Sequence, residues 1–187
     1  AHDPTIEGYA NTLKQWTGLS TASVVYDSAV YPFTAECLFD TVKSKENIAL
    51  IGFTTDGDVF GGFFCFGVTR HDEDFHDPNI FAFSFESHGR CETPQRFCLK
   101  EATKGTAAVK FHLNDDRGFV SFSAFGGFFL GCVTSKTFCV GMSNGFEGIE
   151  DTTLTGKSGR SKSHNCCRLV ALQLQGLERK WRNRQRR

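Results

Sequence analysis

The chain has no Cys-x-x-Cys pair, no Walker loop, no dinucleotide glycine fingerprint and no His-Glu-x-x-His. The first absence removes the usual zinc and thioredoxin signatures. The others remove the common phosphate-cradling and zinc-protease frames. No apolar run approaches the ~20 residues of a membrane-spanning helix, and the N-terminus lacks a signal-peptide pattern. Methionine occurs once against twenty phenylalanines, a balance that favours aromatic-filled β layers over a helical bundle. No internal repeat is evident.

What is present suits one globular domain. The 187 residues are 40% hydrophobic and 22% charged, enough apolar volume for a real core. The formal net charge is zero but unevenly spread. Residues 178–187 form a strongly basic tail, so the body over residues 1–177 is acidic. Eight cysteines are scattered through the chain, Cys65 and Cys132 among Phe and Gly in strand-like runs. That placement favours small buried hydrophobes over a disulfide framework, and with it reduced thiols in the cytoplasm.

The organising stretch is Asn47–Val68. Two apolar runs, Asn47–Thr54 and Val59–Val68, flank Thr55-Asp56-Gly57-Asp58. Asp-Gly between such runs signals a hairpin, because Gly takes a positive φ without a Cβ penalty. Both arms are apolar on nearly every residue, so both faces should be covered and the hairpin should be central. Gly61-Gly62 within the second arm marks a bulge or a close approach by backbone or ring.

Around it, Thr5–Gln15 has helical spacing stopped by Gly18, and a second helix follows the N-cap candidate Thr34. Strands are expected at Ser23–Tyr26, Ile80–Phe85, Arg96–Leu99, Ala108–Leu113, Phe119–Phe125 and Asn165–Leu174, with Gly126-Gly127 interrupting an apolar run through Val133. Ser143–Ser163 reads as a polar, Gly-rich surface excursion suited to partner recognition. Two helices and about eight strands predict an α+β, mainly β fold: two antiparallel sheets packed as a sandwich with flanking helices.

Few groups are framed for chemistry. His71–Asp77 is the densest cluster of ionisable side chains, and a solvated loop is preferred to a metal site there. Ser28 follows Asp27, and His88, His112 and His164 lie elsewhere, but no protease signature frames them. His112 alternates with Phe111 and reads as a structural histidine. No catalytic, cofactor or metal residue is assigned. Arg179, Lys180, Trp181 and Arg182 in the tail are candidates for contact with a partner, nucleic acid or anionic membrane.

The order of motifs resembles the TLDc domain, the module of oxidation-resistance proteins. The residues carrying the resemblance are Trp16 and Gly18; Asp27 and Ser28; Gly57, Phe60, Gly61 and Gly62; Phe83 in Phe81–Phe85; and Gly126 and Gly127. Leu154-Thr155-Gly156 ahead of the closing strand adds to it. The resemblance implies a two-sheet sandwich, a role in oxidative-stress protection and, for several relatives, docking onto the vacuolar proton-pumping ATPase. The closing strand departs from the family pattern, with Gln173 where relatives often carry Glu; an amide cannot act as a general acid or base. The expected function is therefore a non-enzymatic interaction module. The rival expectations are a thiol-dependent antioxidant enzyme using Cys91 or Cys98, and a nucleic-acid or membrane binder acting through the tail.

Overall fold

A computed structural model describes residues 3–131, 139–157 and 165–176. The chain opens with helix α1, Pro4–Thr17. Asp3 caps it by accepting from the Thr5 and Ile6 amides, and Gly18 ends it with a left-handed backbone. Strand β1 spans Thr21–Asp27. Helix α2, Ala35–Val42, is capped by the Thr34 hydroxyl accepting from the Cys37 amide. Next come β2 (Ile48–Thr54), β3 (Val59–Phe64), β4 (Phe75–His76), β5 (Phe81–Glu86) and β6 (Gln95–Cys98). A short 3-10 turn precedes β7 (Ala108–Phe111), β8 (Val120–Ser123), β9 (Gly127–Leu130), β10 (Cys139–Val140), α3 (Met142–Gly145) and β11 (Cys166–Gln175).

Two antiparallel sheets result, six-stranded β1-β11-β2-β3-β5-β6 and five-stranded β10-β9-β8-β7-β4. The β2–β3 hairpin is central to the larger sheet, as its two-sided apolar pattern predicts. Leu50, Phe60 and Phe64 face the core between the sheets; Ala49, Ile51 and Phe63 face the opposite way, toward Ile6 and Leu13 of α1. Helix α2 packs Leu38, Phe39 and Val42 into the inter-sheet core. At the hairpin turn Gly57 has φ 88°, and its amide donates to the Thr54 carbonyl at 3.0 Å.

Both glycine pairs are sites of close approach. A Cβ on Gly61 would collide with the Leu50 carbonyl oxygen, and one on Gly62 would stand 2.7 Å from the Phe122 ring. Gly62 thus lets the two sheets meet. Gly127 would meet the Phe122 carbonyl oxygen, and Gly126 that of Gly141.

Several expectations need correction. Eleven strands and three α-helices occur among the described residues, because β4, β10 and the single-turn α3 are too short to carry a periodicity and the apolar run past Gly126 forms a strand of its own, β9. Gly126-Gly127 does interrupt the apolar run as expected: Gly126 lies in the turn after β8, and Gly127 opens β9. Ser143–Lys157 is not a surface excursion. Phe146, Ile149 and Leu154 are buried in the inter-sheet core, and the Asp151 carboxylate accepts from the Met142 amide at 2.7 Å. These anchors are irregularly spaced among glycines and polar residues, so no period announces them. Residues 158–163 of that stretch lie outside the described residues.

Candidate functional site

The Asp27-Ser28 pair is built into a corner of the larger sheet. The Asp27 carboxylate accepts from Arg168 Nε at 3.0 Å and Nη2 at 2.7 Å, and from the Ala29 amide. The Arg168 hydrogen bonds hold that carboxyl below the usual carboxylate range, outweighing its partial burial. Ser28 Oγ accepts from the Leu169 amide at 2.9 Å. Arg168 also reaches Asp3 Oδ2 at 3.3 Å and lies over the Phe53 ring. These groups pin the first strand, the last strand and the start of α1 together. Trp16 plays a comparable part, stacking on Phe85 with ring centroids 5.7 Å apart, while Arg96 donates to its carbonyl oxygen. Phe83 packs between Phe81 and Phe85 in the same layer.

His112 is the residue nearest to a reactive arrangement. Its Nε2 lies 2.8 Å from Ser121 Oγ, and its Nδ1 lies 3.7 Å from Asp115 Oδ2. Burial pushes the imidazole pKa down, with Lys110 and Arg117 in the same direction and Asp115 and Asp72 against it. A neutral imidazole can accept a proton, but the Asp115 contact is too long for an orienting hydrogen bond. Arg117 instead takes both Asp115 oxygens, at 2.6–3.1 Å, and lies over the Phe129 ring. Ser121 projects from mid-strand and pairs with Lys110 and Phe129 across the ladder. This arrangement clamps the β7–β8 turn.

A second cluster, centred on the buried Asp58, has no counterpart among the sequence expectations. Asp58, 2% exposed, accepts from Arg90 Nη2 at 2.6 Å and lies 2.9 Å from His88 Nδ1. Arg90 also donates to the Thr153 and Leu154 carbonyls. The central hairpin turn is thereby fastened to the segment before the closing strand. Asp58 lies 30 residues from His88 and 32 from Arg90 in sequence, so only the fold joins them.

The His71–Asp77 stretch is not wholly a solvated loop: Phe75–His76 form β4, and the buried Asp77 carboxylate accepts from the Cys65, Phe66 and Asn79 amides, while His71 Nδ1 is 2.7 Å from Asp72 Oδ2. Among the described residues no three metal-ligating side chains converge. Gln173 donates to the Glu46 carbonyl oxygen at 3.3 Å, at the rim of a shallow polar depression.

Beside the half-exposed Phe66, two surface features stand out. A groove of about 510 Å³ runs between α1 and β1, with Val24, Val30 and Tyr31 exposed along it. At the β8–β9 hairpin tip, Phe125 is 69% exposed and has φ 62°. Four other non-glycine described residues share that backbone region: Ser44, Asn47, Asp72 and His88. Asn, Asp and His are types enriched there; a bulky Phe is an outlier. Val140, on the strand paired with β9, is also partly exposed.

No known protein-family model matches the chain, and no curated protein does.

The seven described cysteines are free thiols. Burial pushes Cys139 and Cys166 up to about 12 and Cys65 to about 11, which suppresses thiolate chemistry at these positions. Cys98 and Cys167 are exposed and Cys91 is half-buried. Arg179, Lys180, Trp181 and Arg182 lie outside the described residues, as do Cys132 and His164. Sequence reasoning misses Phe125, Arg168 and the Val24–Tyr31 patch. The one signal for Phe125 is the pair of glycines that follows it, which marks a turn.

Proposed function

We propose that this chain is a TLDc-like interaction module that acts in oxidative-stress protection by docking onto a large cytoplasmic assembly, the vacuolar proton-pumping ATPase. The observation that carries the docking reading is Phe125. An exposed aromatic ring held in a left-handed backbone costs the fold ~1–3 kcal/mol of local strain and gains it little burial. Strain of that kind is retained where a residue has a role outside the fold. A rigid aromatic knob on a hairpin tip fits the role of an anchor that fills a partner's pocket. Val140, opposite Gly127 on β10, is a second partly exposed apolar side chain near this tip.

Further support comes from the groups that could have served catalysis. Asp27, Ser28, Asp58 and Asp77 each use their hydrogen bonds to hold elements together. Gln173 stands where the resembling family often has a carboxylate. The assignment to oxidative-stress physiology and to the proton pump rests on the motif resemblance alone.

Binding of the purified chain to the purified proton pump, measured by biolayer interferometry, tests the partner. Saturable binding is expected, weakened at least ~10-fold by Phe125→Ser, the order of loss for removing an aromatic anchor. Absence of saturable binding would reject the pump as partner.

A further inference from the structure

We propose that the open edge of β1 pairs with the same edge of a second copy of this chain, joining two six-stranded sheets about a two-fold axis. The inference goes beyond the docking role of Phe125, which sits at a tip of the other sheet.

Among the described residues the two sheets end in four edge strands: β1, β6, β4 and β10. Edge strands expose unpaired N–H and C=O groups and are commonly protected by shortness, charge or proline. β4 and β10 have two residues each. β6 has four, and its Arg96 is tied to the Trp16 carbonyl. β1 is different: seven residues, Thr-Ala-Ser-Val-Val-Tyr-Asp, without Lys, Arg or Pro. Its one charge, Asp27, is already paired with Arg168. The irregularity in its ladder falls between Val24 and Tyr26, leaving Thr21–Val24 in regular register with β11. Thr21, Ser23 and Val24 are all exposed.

The charge pattern beside this edge selects the occupant. Arg168 bridges Asp3 and Asp27, so the start of α1 lies at the end of β1. The tight connection through Gly18 to Ser20 places the last turn of α1 by Thr21. Along the groove, Glu7 is therefore toward Asp27 and Lys14 toward Thr21. An antiparallel pair of β1 strands about a two-fold at Val24 reverses this order in the second copy. Lys14 of each copy then stands level with Glu7 of the other, and the two Val24 side chains meet on the same face, between the two α1 helices. An interface of this kind is isologous, the surface serving as its own complement.

Sedimentation equilibrium on the full chain across a micromolar concentration series tests the pairing. A reversible monomer–dimer equilibrium is expected. Val24→Lys places a charge at the centre and should leave a monomer with unchanged circular dichroism, because Val24 is half exposed. Lys14→Glu should weaken the dimer about threefold, and adding Glu7→Lys should restore it, the scale of an exposed ion pair. A wild-type chain that stays monomeric, or a dimer that survives Val24→Lys, overturns the proposal. If Val24→Lys fails to fold, the charge-swap pair decides: a double variant no tighter than Lys14→Glu alone also overturns it.

Discussion

Gly62 lies against the ring of Phe122, so close that a Cβ there would stand 2.7 Å from the ring carbons. The contact joins the central strand of the larger sheet to the middle of the smaller one. Gly62→Val should cost ~1–3 kcal/mol by overpacking. Gly8 makes the contrast: it lies inside α1, and a Cβ added there would meet nothing within 4 Å. Gly8→Ala should stabilise by ~0.5–1 kcal/mol through helix propensity. Chemical denaturation of both variants checks the pair, and equal stabilities would remove the packing role of Gly62.

Arg168 should be the residue on which the first and last strands depend most. Arg168→Ala leaves the Asp27 carboxylate without its charged donor and should cost ~1–3 kcal/mol. Asp27 has a lowered pKa in the fold, so its contribution is complete above the ordinary carboxylate value of 3.8 and is lost as pH falls through the folded value. A double-mutant cycle with Asp27→Asn at neutral pH measures the coupling. Coupling indistinguishable from zero would reduce the pair to a surface contact.

How far such features can be read from sequence depends on how local they are. The Asp56-Gly57 turn and the Thr34 and Gly18 caps involve neighbours in the chain, and the residue types there announce them. The two-sided burial of β2 and β3 follows from their continuous apolar runs. Arg168 with Asp27, and Asp58 with His88 and Arg90, join distant segments, and nothing local marks either end. Phe125 reads as strand because an apolar residue beside other apolar residues carries no mark of exposure; its left-handed backbone shows only in the folded hairpin. Ser143–Lys157 misleads for the opposite reason, its buried anchors being diluted by glycine and polar residues.

His112 should make stability depend on pH near neutrality. Its folded pKa lies below the ordinary 6.5, chiefly through burial. Between the two values the unfolded chain binds more protons than the native one, so stability falls as pH drops below about 6.5. The loss ends once pH is below the folded value. His112→Gln keeps a partner for Ser121 and does not titrate, and it should flatten the stability profile between about pH 5 and 7. Urea midpoints across that window check this; an unchanged slope in the variant would assign the dependence to another group.

The central claim is that Phe125 serves recognition at the expense of the fold. Phe125→Gly removes the ring and relieves the left-handed strain, at the cost of glycine's extra chain entropy. The decisive measurement is the unfolding free energy of Phe125→Gly beside its affinity for the proton pump. Stability unchanged or raised by up to ~1 kcal/mol, with affinity reduced at least ~10-fold, is the expected result. A destabilised variant that binds as tightly as the wild type would contradict the claim, showing that the ring serves packing and not a partner.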